Sequence, residues 1–406
     1  MKYFLLSLLF FFLSCEGINC NRVPYNDQTA LSFLKTLPDY EPGNPRIVSQ
    51  LNTSHWTSGV GLEIIREMAR IGGAVNISIA SAHRYLFNQD YIDICETTPN
   101  CKIVLTSNAI GGLDTWRPIE ELNADYIHDL PHPWQDYINH MPSVHGLSRI
   151  LYSPARESNQ EQVSRWYSVA QDIASQGLNI DDVDLIWVHD ETAYVAQKTD
   201  WYVKDELYTD SVGIGSKQAY NQILADLHER IIHAHLEGMG DLDHSTKVMY
   251  WSGGYRWIAN KQECKASPWL PIEDYPDTPH QDYWAFANYS GASDSVDDMR
   301  QSYACNAEHS DKPVVPFISL TYNNSAECDQ WLLEQCDSSL GACVRELCGI
   351  DYNISKLKAQ LAAEMGSPYI FLYALNPMGQ YSEQMDNDWY RKQFLTYKYI
   401  VEGSRL

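Results

Sequence analysis

The segment Asp181-Asp182-Val183-Asp184-Leu185-Ile186-Trp187-Val188-His189-Asp190-Glu191 takes an apolar run straight into a group of ionisable side chains. Val, Leu, Ile and Trp in succession predict a β-strand, and strand side chains alternate between two faces. Ile186 and Val188 share one face and suit packing under helices. Leu185, Trp187, His189 and Glu191 share the other. If that second face turns into a closed barrel, Glu191 stands at the inward lip with His189 beneath it, and Asp190 turns outward. A carboxyl at such a lip, near Trp and Tyr, is partly desolvated. Desolvation favours its neutral form, raises its pKa and suits it to general acid catalysis. The plainer role for Asp190 and Glu191 is to begin the next helix, where acids are favoured by the helix dipole. The plainer role for His189 is that of a hydrogen-bonded interior residue.

Acid catalysis of glycoside cleavage needs a second carboxyl group across the scissile bond. Asp114 follows one strand pattern, and Glu157 follows another within Ser153-Pro-Ala-Arg-Glu157, where Arg156 also offers it a surface ion pair. Asp190 is adjacent in sequence to Glu191 but faces the other way. Trp116, Trp187, Tyr250 and Trp251 lie at or near strand ends, where their faces can stack on sugar rings. Tyr250-Trp251-Ser252-Gly253-Gly254 is the strongest of these, because two glycines permit a sharp turn beside a site. Tyr322 closes a later strand pattern and suits stacking or hydrogen bonding. The expected substrate-binding set is therefore Tyr250, Trp251, Trp187, Trp116, Tyr322 and His189. Other chemistries have less to stand on. There is no G-x-S-x-G nucleophile elbow. His55 and His83 follow strands and would serve a phosphodiesterase-like barrel, but neither belongs to an H-x-H or H-E-x-x-H pair. No cofactor and no metal is expected.

The elements that must position these residues alternate along the chain. Strands are predicted at Arg46–Leu51, Ala74–Ala80, Lys102–Ser107, Ser148–Ser153, Val183–His189, Lys247–Ser252, Val314–Leu320 and Tyr369–Leu375. Helical patterns fall between them at Gly61–Ile71, Glu161–Gln176, Lys217–Gly238 and Lys356–Met365. Ile64, Ile65, Met68 and Ile71 form one stripe of this kind. Eight strands alternating with helices predict a (β/α)8 TIM barrel, in one domain over residues 18–406. A doubly wound open sheet is the alternative, weakened because no Gly-rich phosphate loop follows any strand. Two long excursions, 113–145 and 253–311, are rich in Trp, Tyr and His. Both follow strands and are expected at the C-terminal face of the barrel, where such folds build their sites.

A carboxylate ending a middle strand of a barrel resembles the arrangement in chitinase-like and hyaluronidase-like glycoside hydrolases. The order of the tail, Pro313–Leu320, a helix, then Ser367-Pro-Tyr-Ile-Phe-Leu-Tyr-Ala-Leu375, is similar to the last strands of those barrels. The resemblance is one of arrangement only. The pattern D-x-x-D-x-D-x-E is absent, since His189 stands two residues before Glu191. The resemblance implies a class of reaction, not a substrate.

The N-terminal run MKYFLLSLLFFFLSCEG has one Lys followed by an apolar stretch long enough for a signal peptide and too short to span a bilayer. Cleavage near Gly17 is expected, with secretion as the outcome. Leu13-Ser14-Cys15 offers lipid attachment at Cys15 as the alternative. Ten cysteines in an exported chain predict disulfides. Cys95 and Cys101 can staple a short loop, and Cys264 and Cys305 a long one. Cys328, Cys336, Cys343 and Cys348 lack the CxxC pair of a zinc site. Glycosylation sequons begin at Asn52, Asn76, Asn288, Asn323 and Asn353, with Asn76 inside a strand pattern. The formal net charge of -24 repels polyanions and counts against nucleic acid, anionic membranes and sulfated or uronate-rich polymers. The reading that fits these features is a secreted glycoside hydrolase acting on a neutral or weakly charged carbohydrate. The alternatives are a non-catalytic glycan-binding barrel and the His55–His83 phosphodiesterase.

Overall fold

The computed structural model describes residues 26–51, 58–79, 89–107, scattered residues between 167 and 178, then 180–188, 232–241, 245–250, 254–266, 281–288, 296–319, 352–375 and 387–405. Eight strands form one sheet in the order β1-β10-β9-β8-β5-β4-β3-β2, and every pairing in it is parallel. The strands are β1 (Arg46–Leu51), β2 (Ala74–Ile79), β3 (Lys102–Ser107), β4 (Val183–Val188), β5 (Lys247–Tyr250), β8 (Tyr283–Asn288), β9 (Val314–Ser319) and β10 (Tyr369–Leu375). The first and last strands of that order meet at a seam. There the Asn76 amide nitrogen of β2 donates to the Ser49 carbonyl of β1 at 3.4 Å. The sheet is thus a nearly closed (β/α)8 barrel.

Seven of these strands are the ones the sequence predicts. The eighth differs. Tyr283–Asn288, inside the stretch read as a loop excursion, is a barrel strand between β5 and β9. The pattern at 148–153 lies outside the described residues, and β3 pairs directly with β4.

Two apolar shells follow from strand alternation. Val48, Ala74, Val104, Leu185, Trp187, Met249, Ala285, Val315, Phe317, Tyr369 and Phe371 fill the inside of the barrel. Ile47, Val75, Ile77, Ile103, Ile186, Val248, Trp284, Phe286, Ile318 and Ile370 face outward. Against this outer face pack α1 (Asp27–Leu34), α2 (Val60–Gly72), α3 (Gln89–Thr97), α4 (Val296–His309), α5 (Tyr352–Glu364) and α6 (Asn387–Gly403). In α2 the predicted stripe Ile64, Ile65, Met68 and Ile71 is buried.

The remaining strands, β6 (Tyr255–Ile258) and β7 (Glu263–Ala266), form an antiparallel hairpin on the outer wall. Gly254 starts it with φ +62, and a Cβ there would lie 2.1 Å from the Cβ of Phe286, so only glycine fits against β8. Asn306 of α4, fully buried, imitates a neighbouring strand. Its Oδ1 accepts from Tyr255 N at 2.8 Å and its Nδ2 donates to Tyr255 O at 2.7 Å. The same oxygen accepts from the Trp284 indole at 3.0 Å. The Cys264–Cys305 disulfide fixes the hairpin to α4 across a separation of 41 residues, a loop closure worth about 4 kcal/mol. Cys95–Cys101 closes only 6 residues, worth about 2 kcal/mol. Both pairings are those the sequence suggested. The hairpin corrects another expectation. Tyr255 stacks on His309 with ring centroids 3.8 Å apart, so this part of the 253–311 stretch covers the barrel wall and not the mouth.

Candidate active site at the C-terminal end of the barrel

The connections at the two ends of the barrel differ in length. Four helix-to-strand links at the N-terminal end are short: Gly73 alone joins α2 to β2, and four residues each join α3 to β3, α4 to β9 and α5 to β10. Two strand-to-helix links at the C-terminal end are longer: seven residues, 289–295, separate β8 from α4, and eight, 52–59, separate β1 from α2. Long strand-to-helix links are where this architecture carries chemistry.

The side chains of β4 divide between the two shells. Leu185 and Trp187 belong to the inner shell, and Ile186 to the outer one. The inward set is therefore the one on which His189 and Glu191 were placed. Alternation fails only at the start of the strand. Ile103 pairs with Val183 but Val104 pairs with Leu185, so Asp184 is an extra, bulged residue. The bulge brings its carboxylate to Tyr369, whose hydroxyl donates to it.

Trp187 was expected to bind substrate, and it is fully buried. Its ring lies 5.0 Å from Phe317 and 4.9 Å from Phe371, which stack on each other at 4.8 Å. A Trp at this depth packs the barrel interior and offers no free face to a sugar. Tyr250 ends β5, its backbone in register with Val188 and Trp284. Glu191, Asp190, His189, Glu157, Asp114, Trp116, Trp251 and Tyr322 lie outside the described residues, as do His55, His83 and the 113–145 excursion.

Sequence reasoning missed two polar groups inside the barrel. Thr106, in register between Ser78 and Trp187, donates its hydroxyl to Asn76 Oδ1 at 2.6 Å. Both are buried, and the pair places hydrogen-bonding capacity on the same inner wall as Trp187. The sequence signal was present: two polar residues at inward positions of otherwise apolar strands. At the end of β8 a fully buried lysine, Lys358 of α5, donates from Nζ to the Asn288 carbonyl at 3.1 Å. Beside it burial pushes the Tyr303 phenol well above the ordinary tyrosine range. Among the described residues no three His, Cys, Asp or Glu side chains are grouped to hold a metal ion. Nor is any described helix long and apolar enough to cross a membrane.

No protein family matches the chain, and no curated protein sequence matches it. Among solved structures it is similar to a GH5-4 broad-specificity endoglucanase from an uncultured bacterium, at 11% identity over 83% of this chain and 84% of that one, TM-score 0.42. It is similar to endo-glycoceramidase II from Rhodococcus sp., at 14% identity over 83% and 75%, TM-score 0.37. It is also similar to the carboxyl transferase domain of Rhizobium etli pyruvate carboxylase, at 9% identity over 93% of this chain and 50% of that one, TM-score 0.36.

Proposed function

We propose that the chain is a secreted glycoside hydrolase that cleaves a neutral or weakly charged glycan, with Glu191 as general acid. One observation carries the reading: β4 directs Leu185 and Trp187 into the barrel. Two further residues of the same alternation reach His189, and two more reach Glu191, past the strand's C-terminal end. Such a carboxyl sits above an aromatic, poorly solvated interior, the environment that keeps an acid protonated near neutral pH. Asp190, Glu157 and Asp114 supply the candidates for the second carboxyl. Tyr250, Trp251, Trp116 and Tyr322 supply aromatic surfaces for the sugar. Trp187 supports the acid from below as packing. The net charge of -24 disfavours acidic polymers and leaves neutral ones.

The deciding experiment measures release of reducing ends from a panel of neutral oligosaccharides by the wild type and by Glu191→Gln. Turnover by the wild type that falls by roughly 10²- to 10⁴-fold in the variant, with unchanged thermal unfolding, is the expected result. Equal turnover by both would remove Glu191 from the mechanism. Saturable glycan binding with no turnover by the wild type would leave a binding protein instead.

A further inference from the structure

Three of the five glycosylation sequons fall on described residues, and the fold treats them differently. Asn76 points into the barrel, where its amide contacts Ser49 and Thr106, and it is 3% exposed. Asn288 ends β8 and is 2% exposed, beneath the Lys358 ammonium. A glycan on either amide has no path to solvent in the folded chain. Asn353, in Asn353-Ile354-Ser355, is exposed on the first turn of α5. Its neighbour Tyr352 is held by stacking on Tyr399 of α6 at 5.2 Å.

The position of Asn353 along the barrel follows from its helix. Four residues join the end of α5 to the start of β10 at the N-terminal end of the barrel, so the first turn of α5 lies at the opposite end. Lys358 reaches the last residue of β8. Asn353 precedes it by five residues, roughly 7.5 Å farther toward the C-terminal face.

We propose that Asn353 is an N-glycan attachment site and that its glycan stands on the rim of the C-terminal face, the face assigned above to the active site. The proposal rests on the export reading, which brings the chain to the transfer machinery. The donor is a lipid-linked oligosaccharide diphosphate. The new bond joins Asn353 Nδ2 to the anomeric carbon, the bond from that carbon to phosphate oxygen breaks, the lipid diphosphate leaves, and the amide gives up one proton. Nothing in this transfer uses Glu191.

The test expresses the full chain with its own N-terminal run in a eukaryotic secretory host and maps peptides from the medium after peptide N-glycosidase treatment. Conversion of Asn353 to aspartate is expected, together with loss of one glycan's mobility shift in Asn353→Gln. Asn76 and Asn288 should remain amides. An unmodified Asn353 in secreted chain overturns the proposal while leaving export standing. Absence of the chain from the medium overturns both. Glycan found on Asn76 or Asn288 in folded chain overturns the burial argument behind it. Hydrolase activity, assayed separately, stands or falls independently of these outcomes.

Discussion

The two ends of the barrel are built for different purposes. At the N-terminal end, side chains tie strand to strand across short links. The Arg46 guanidinium, at the start of β1, donates to the Gly73 carbonyl just before β2 and to the Asn100 carbonyl, at 2.6 Å, just before β3. It also lies 4.8 Å from the centre of the Tyr40 ring. Tyr369 of β10 spans the interior to Asp184 of β4, a strand four places away around the barrel. Asp282 accepts from Val248 N at 2.9 Å and from Lys247 Nζ at 3.0 Å. At the C-terminal end the spans that follow the strands are longer, seven residues between β8 and α4 and eight between β1 and α2. A fold organised in this way can vary its chemistry at one end without disturbing the ties at the other.

The sharpest way to break that contrast is to exchange the phenotypes. Glu191→Gln is expected to cost roughly 10²- to 10⁴-fold in turnover with no change in the unfolding midpoint. Tyr369→Phe is expected to do the reverse. It removes a hydrogen bond to a carboxylate inside the barrel, at a cost of about 2 kcal/mol of stability. Its kcat/KM for whatever glycan proves to be the substrate should stay within experimental scatter. Chemical denaturation of the variant beside a progress curve gives both readouts. A Tyr369→Phe protein of native stability, or one that is stable but slow, would erase the distinction between the ends.

The barrel was legible because seven of its strands are short runs rich in branched and aromatic residues, separated by helical stripes such as Ile64, Ile65, Met68 and Ile71. Tyr283–Asn288 escaped notice because Tyr-Trp-Ala-Phe-Ala-Asn sits in a long aromatic stretch that reads as loop. Only its neighbours in the sheet, Met249 on one side and Val315 on the other, mark it as a strand. The hairpin was hidden for a similar reason. What holds it is Asn306, fifty-one residues from Tyr255, and no local pattern announces such a partner. Alternation correctly gave the faces of Leu185, Ile186 and Trp187 in β4. It did not give the bulge at Asp184, which depends on how β3 and β4 pair. Nor did it reveal that Trp187 is enclosed by Phe317 and Phe371, because depth inside a barrel is set by the opposite strands.

A smaller effect sharpens the account of the N-terminal end through pH. Burial, and after it the negative charges of Asp184 and Asp282, push the Tyr283 phenol from its ordinary value near 10 up to about 12. In the unfolded chain the same phenol ionises first. Between pH 10 and 12 the unfolded state has therefore lost a proton that the folded state retains, and stability falls as pH rises through that window. Below pH 10 both states hold the proton and the contribution is constant. Tyr91, Tyr303 and Tyr397 are also raised by burial and add to the alkaline loss, so the informative quantity is a difference between proteins. Tyr283→Phe keeps the ring that meets Tyr369 edge-on at 5.8 Å and removes only the ionisable group. Its denaturation midpoint should decline less steeply than that of the wild type above pH 10, while turnover at neutral pH is unaffected. Identical alkaline profiles would mean that burial and the Asp184 and Asp282 charges together do not raise this phenol. A loss of neutral-pH turnover would mean that the N-terminal end is coupled to the chemistry after all.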